Sequence, residues 1–353
     1  MKYLTLILVF SFLLAGCAKK ETQTDKKVFT VKVTDNKAEQ RVDVTVNGQP
    51  FTSYIYSDKI ETLKKPTLYP VMTAKGTEVT RGYPLNPRAG ERNDHPHHAG
   101  YWLTYGDVNG LDFWGNSSAI PKSRAEEMGH IKTTSIKSLK SGDGQGVLEI
   151  TADWLNNANK PILKEDTKFI FHAAENKRCI DRITTLTAQD AAVHFNDTKE
   201  GMLGIRVAHE LEHPSDKPVK LSDAKGNITV IEPENQNTSG HYLNSEGVEG
   251  LDTWGKRAKW NTLYGNIKGE DIALAIFDHP DNVGYPTYWH SRGYGLFAAN
   301  PFGAKTFTKG AQEMNFKLDP GQSITLKYRM VIIDGKPSKE DMEKAWQKWA
   351  ATK

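Results

Sequence analysis

Period-two alternation dominates the chain. Val42, Val44 and Val46 fall on one face of an extended segment, with Arg41, Asp43 and Thr45 on the other, the pattern of a half-buried strand. Asn47-Gly48 follows, a hairpin turn pair, and then the strand-like run FTSYIYS at 51–57. Similar runs recur as IKTTSIKSL, VLEITADWL, TKFIFHAA, CIDRITTLTA, AAVHF, LGIRVAHEL, NITVIE, DIALAIFD and SITLKYRMVII, divided by clusters of Gly, Asn, Asp and Pro. Many strands at this spacing, without helices between them, predict a sandwich or barrel and not βαβ units. One helix is expected, over 338–350. Ser338 is a candidate N-cap with Asp341 three residues on, and Met342, Ala345, Trp346 and Trp349 form an apolar stripe at helical spacing, suited to docking on a sheet.

The first residues break this pattern. Lys2 precedes an apolar run of eleven residues, 4–14, which closes on Leu-Ala-Gly-Cys at 14–17. Eleven residues fall short of the ~20 that a spanning helix needs, and the run fits the apolar region of a signal peptide. Its ending resembles the bacterial lipobox, whose cysteine is acylated. Residues 1–17 are therefore expected to be a lipoprotein signal with Cys17 as the lipidation site. Residues 18–27 (AKKETQTDKK) hold no large apolar side chain and read as a solvated tether. Residues 28–353 are expected to form a single β-sandwich domain that includes the C-terminal helix. No second apolar stretch reaches spanning length, so the expected membrane contact is through the lipid anchor only, with the protein in the cell envelope on the periplasmic or outer-membrane face.

Composition narrows the function classes. The formal net charge is +3 over 353 residues, the basic residues are scattered, and no nucleic-acid signature is present. With Cys17 lipidated, Cys179 is the one cysteine left; it lies in a strand-like run and reads as a buried, inert thiol. Eight tryptophans and thirteen tyrosines suit stacking on sugars and suit core packing equally.

Three stretches read as long loops, 81–127, 233–262 and 278–305, and long loops in compact domains tend to carry function. The first holds NDHPHHAGYWLTYGDVNGLDFWG. Pro96 biases His95 toward an extended conformation, which would put His95 and His97 on one side and His98 on the other. A His-x-His pair can ligate a metal, work as acid and base, or bond hydroxyls; Asp94, Trp102 and Asp112 stand nearby. The second chemical segment, DTKEGMLGIRVAHELEH, places Lys199 and Glu200 at a turn and Arg206 and His209 on a strand. The third, from Trp254 to Gly303, offers His279, His290, Arg292 and Tyr294 near a pocket, with Trp289 as a stacking wall. Its Gly255-Lys256-Arg257 lacks the earlier glycine of a phosphate loop.

Taken together, DHPHHAGYW…GDVNGLDFWG, DTKEGMLGIRVA, WGKRAKW and FDHPDN…YPTYWHSRGYGLFAANPFG resemble the family called PmoA-like, or DUF6807, over about residues 50–335. The label borrows the name of a methane-oxidising membrane subunit, a function that would need several spanning helices. The order of features, and the Leu318-Asp319-Pro320-Gly321 strand entry, are also similar to galactose mutarotase-like supersandwiches, which implies a large mainly β sandwich.

Three readings follow. The first is a carbohydrate-active enzyme of lyase, isomerase or hydrolase type, with His97, His98 and His290 as acid and base, Glu200 as their carboxylate, and Lys199 and Arg206 stabilising charge. Asp94, Trp102, Asp112, His279, Trp289, Arg292 and Tyr294 would then bind the carbohydrate ligand. The second is a non-catalytic glycan-binding lipoprotein, and the third a metal-dependent enzyme with His95 and His97 as a ligand pair and His279 or His290 closing the site. The cofactor complement is accordingly either none or one divalent metal. His97, His98, Arg206 and His290 are expected to line one pocket, because their segments offer them no local partners.

Overall fold

The computed structural model describes Met1 and residues 27–352. Cys17, the apolar run before it and the tether up to residue 26 lie outside the described residues.

Two antiparallel sheets make up most of the fold. One runs Tyr288–Ser291, Leu296–Asn300, Leu203–Arg206, Tyr101–Leu103, Thr67–Val71, Gln49–Ile55, Arg41–Val46, Thr30–Asn36 and Gly142–Asp143 across its nine strands. The other has eight, His241–Asn244, Trp260–Ile267, Glu270–Asp278, Ser323–Asp334, Lys177–Ala188, Pro161–Ala174, Gln145–Leu155 and His130–Lys140. The alternating valines predicted from the sequence point into the space between them and join Phe51, Phe169, Phe171 and Leu274 in the main core. Burial of this apolar surface is the dominant favourable contribution to the fold. Phe51 of one sheet meets Phe171 of the other edge to face at 6.1 Å. The mainly β sandwich read from the sequence is the architecture observed.

Local chemistry accounts for the joints. Asn47 and Gly48 both take positive φ, 50° and 81°, the geometry of a tight turn whose twist matches paired strands, and they join Arg41–Val46 to Gln49–Ile55. The C-terminal helix spans Lys339–Ala350, with a full capping box between Ser338 and Asp341. It packs Met342 and Trp349 onto Cys179, Ala275, Phe277 and Val331, on the outward face of the eight-stranded sheet. Burial pushes the Cys179 thiol up to about 11, consistent with an inert side chain.

The long-loop expectations are corrected in part. The stretch 81–127 contains the strand Tyr101–Leu103, 233–262 contains His241–Asn244, and 278–305 contains Tyr288–Ser291 and Leu296–Asn300. Tyr101–Leu103, Tyr288–Ser291 and Leu296–Asn300 are buried at every position, so no alternation marks them as strands. The Arg206 strand also ends sooner than its pattern suggests, since His209 lies in the short helical turn His209–Leu211.

Replacing Met342, which is fully buried, by Ala is expected to lower the free energy of unfolding by about 2–5 kcal/mol. Ser338→Ala should cost about 1 kcal/mol through loss of the cap. Urea denaturation of both variants tests the pair, and an unchanged midpoint for Met342→Ala would mean that helix docking adds nothing to the fold.

Candidate functional site

The end of the nine-stranded sheet builds the site by register. Trp102 stands opposite Gly204, Gly204 opposite Ala298, and Ala298 opposite His290. Directly opposed residues share a face, so these four lie in a row across four strands. Two residues along, Arg206 and Leu296 lie on the same face, and Arg292 joins them through its N–H bond to the Leu296 carbonyl at 2.7 Å. The alternate set, Tyr101, Leu203, Ile205, Phe297, Ala299 and Trp289, points into the core. Trp289 is therefore not a stacking wall: it is fully buried, and its indole N–H donates to the Ala258 carbonyl at 3.0 Å. Gly204 is required by this row. A Cβ there would fall 2.8 Å from the Trp102 ring and 3.0 Å from Trp114.

Arg81, fully buried, fixes the loop that covers this face. Its Nε donates to the Tyr83 carbonyl at 3.1 Å. Its two terminal nitrogens donate to the carbonyls of Arg92, Asp94, His95 and His98 and to Asp94 Oδ1, at 2.8–3.3 Å. Arg206 NH2 reaches the same Oδ1 at 2.7 Å, and His95 Nδ1 lies 3.2 Å from it. Burial raises the Asp94 carboxyl, but the His95 contact and the charges of Arg206 and Arg81 outweigh it and hold the group well below the usual carboxylate range.

The histidine segment is folded and not extended. His95 adopts φ 46°, and the His98 N–H bonds the His95 carbonyl at 2.9 Å, closing a turn with Pro96 at its second position. The expected separation of His98 from His95 is thereby reversed. Tyr294, His95, His98 and Trp102 stack in series, at 5.2, 5.0 and 5.5 Å between centroids. His97 packs edge-on against His98 at 4.4 Å, and its ring nitrogens have no hydrogen-bond partner among the described residues.

The histidines differ in what they can do. His98 Nε2 faces the Trp114 indole N–H at 3.2 Å and its Nδ1 faces Arg206 NH1 at 3.2 Å. Both neighbours are obligate donors and a neutral imidazole has one accepting nitrogen, so only one of the two contacts can be a hydrogen bond, and both ring nitrogens are covered by protein groups and not turned to a ligand. Its geometry suits positioning rather than the acid–base role expected from the sequence. His290 is freer. Trp254 Nε1 donates to its Nδ1 at 3.1 Å, which leaves the proton on Nε2, 3.9 Å from Glu200 Oε2. Glu200 also pairs with Lys199. Burial, then Arg292 and Lys199, bring His290 down to about 3, and burial followed by Lys65 and other nearby cations brings His97 to about 2. Both are neutral near pH 7.

Of the remaining candidates, Trp102 is fully buried at the base of the ring series. Asp112 is half-buried, its Oδ1 accepting the Gly115 N–H at 2.7 Å, and it is raised by burial with Glu200 close enough to contribute. His279 does not belong to the site. It packs edge-on against Trp349 at 5.1 Å beside the C-terminal helix, since it follows Glu270–Asp278, a strand of the other sheet. His95 and His97 gain no third ligand: among the described residues no three His, Cys, Asp or Glu side chains gather in metal-binding geometry. Sequence reasoning missed Arg81, Trp254 and Lys65. Lys65 is buried over the Trp102 ring, bonded to the Trp114 carbonyl at 3.1 Å and lowered by burial to about 7. Each is a single residue in an irregular stretch, and only the folded neighbourhood gives it meaning.

The neutrality of His290 has a pH signature. An unfolded histidine takes a proton as pH falls through 6.5, whereas folded His290 does so only near 3. Stability it contributes is thus complete above about 6.5 and is lost as pH falls toward 3. Comparison of wild type with His290→Asn cancels the titrating groups that the substitution leaves undisturbed. The stability advantage of wild type over the variant should shrink by about 2 kcal/mol between pH 6.5 and about pH 5, read from urea denaturation. A pH-independent difference would show that His290 titrates normally.

Comparison with known proteins gives a family and distant likenesses. Among curated proteins, none matches the chain in sequence. Solved structures with a similar course include the GH36 α-galactosidase AgaA from Geobacillus stearothermophilus (12% identity, TM-score 0.37, 87% of this chain and 41% of that one). A putative aldose 1-epimerase from Escherichia coli K12 follows (10% identity, TM-score 0.35, 87% and 100%), with galactose 1-epimerase from Lactobacillus acidophilus NCFM (12% identity, TM-score 0.36, 88% and 100%). The chain thus spans about two fifths of the galactosidase that it matches. A family model matches residues 41–347, most of the chain, and the protein belongs to DUF6807, a family of unknown function.

Proposed function

We propose that the outer face of the sheet end binds a carbohydrate and that Glu200 and His290 exchange protons with it. The observation that carries this reading is the Glu200–His290 pair, at 3.9 Å, with the His290 tautomer fixed by Trp254. A carboxylate that accepts a proton, beside an imidazole N–H that donates one, suits isomerase, lyase or hydrolase chemistry on a sugar. Their surroundings fit a polyhydroxylated ligand. Asp94 Oδ2 is outside the contacts that Oδ1 makes with three donors, His97 is unpartnered among the described residues, and Tyr294 and Trp254 are half-buried aromatics beside them. Lys199, paired with Glu200, would steady its charge. The anchoring read from Leu-Ala-Gly-Cys is part of the same proposal: a lipid on Cys17 would hold the site at a membrane surface in the cell envelope.

Proton NMR of the purified domain with a panel of mono- and disaccharides tests the reading. Wild type should bind and convert at least one of them. Glu200→Gln should slow conversion by about 10²-fold or more while changing affinity less than tenfold. Binding without conversion in wild type would favour a glycan-binding protein, and no binding of any sugar would overturn the proposal. For the anchor, Cys17→Ser should release the protein from the membrane fraction, and an unlipidated Cys17 in the intact mass of the native protein would refute it.

A further inference from the structure

Beside the Glu200–His290 pair lies a cleft of about 380 Å³, lined among others by Arg92, His213, Leu251, Trp254, Arg292 and Tyr294. This is within the ~300–1,000 Å³ usual for small-ligand sites. Charge in its lining is uneven. Arg92 is matched by Glu212, at 2.8 Å, and Asp216 stands exposed at the rim. Arg292 has no carboxylate partner and no side-chain hydrogen bond among the described residues. Its guanidinium carbon instead lies 5.8 Å from the Trp254 ring centroid and 5.6 Å from that of Tyr294. Two aromatic faces thus hold a half-buried cation in place while all its N–H groups remain unclaimed by the protein.

We infer that Arg292, held between Trp254 and Tyr294, binds the carboxylate of an acidic sugar, so that the ligand of this site is a uronic acid or another sugar acid. The inference rests on the carbohydrate reading above and narrows it. A lone guanidinium offers two parallel N–H groups, the fork that a carboxylate matches, and its single charge balances one carboxylate. A phosphate ester, with nearly two charges, would leave the site anionic. Hydroxyl recognition is available in the same lining. His213 Nδ1 donates to the Pro214 carbonyl at 2.9 Å, which leaves Nε2 as an acceptor for a sugar hydroxyl. The cleft and the proton-transfer pair share Trp254, whose indole N–H bonds His290, and the Arg292 charge is felt at His290. A carboxylate on Arg292 would therefore lie next to the reacting groups.

Calorimetric titration of the wild-type domain with D-glucuronate, D-galacturonate, D-glucose, D-galactose, glucose 6-phosphate and acetate tests the inference. At least one uronate should bind ten times more tightly than its neutral counterpart. Arg292→Gln should erase that gap, weakening the uronate about tenfold more than the neutral sugar, and Arg292→Lys should retain part of it. Among the described residues Arg292 makes no side-chain hydrogen bond, so both variants should fold; their thermal midpoints check this, and the wild-type titrations decide the question even if one fails. Equal binding of uronate and neutral sugar would overturn the acidic-sugar inference and leave the carbohydrate reading standing. Tighter binding of glucose 6-phosphate than of uronates, or of acetate as well as uronate, would also overturn it. Binding of none of the sugars would remove the carbohydrate reading itself.

Discussion

The guanidinium of Arg81 is the knot on which the site depends. A buried charge costs several kcal/mol unless it is paired and its donors are satisfied. Arg81 meets that demand by taking five backbone carbonyls and Asp94 Oδ1. Because those carbonyls belong to residues 83–98, satisfying one side chain determines the path of the whole covering loop. The same requirement brings Asp94 over Arg206, and Arg206 against His98. Burial lowers Arg81 to about 9, so the cluster remains positively charged at neutral pH.

That surplus of positive charge explains the state of the histidines. Two arginines share one carboxylate oxygen, and each neighbouring imidazole would add a further cation to a poorly hydrated region. Burial and these charges together hold His97 and His98 neutral. A neutral His98 can lie face to face between His95 and Trp102 without adding a charge to the series Tyr294, His95, His98 and Trp102. The histidines that appear densest in the sequence are therefore largely architectural. His290 is separated from them on the same sheet face and keeps a proton directed at a carboxylate. A tryptophan N–H, which can only donate, is what fixes that direction.

Small residues make the arrangement possible. Gly204 and Ala298 stand between Trp102 and His290 in the same row, and Gly204 gives the indoles of Trp102 and Trp114 room to lie across the strand. The sheet end thus has large rings at one side, a histidine at the other and a low floor between. The cleft at Arg292 opens alongside, bounded by Trp254 and Tyr294.

How much of this was legible in the sequence follows from the range of each interaction. Alternating valines, the Asn47-Gly48 turn and the Ser338 cap are local patterns, and each predicted its element because strand pleat, turn φ and helix termini depend on near neighbours. The dense polar segments also named Asp94, Glu200, Arg206, His290 and Tyr294, which the fold gathers at one sheet end. Tertiary structure decided the rest. Strands buried on both faces, such as Leu296–Asn300, carry no alternation and read as loop. The facing of Trp289 and the remoteness of His279 depend on strand register and on which sheet each strand joins. Arg81 and Trp254 act through partners that the sequence does not mark as theirs. Whether a histidine holds, shares or lacks a proton depends on donors brought to it from distant segments, as Trp254 is to His290 across 36 positions. Local sequence patterns were enough for the alternating strands, the turn, the helix and the chemical inventory; the fully buried strands and the task of each polar group were settled by the folded neighbourhood, because burial and hydrogen-bond partners are set by packing between segments.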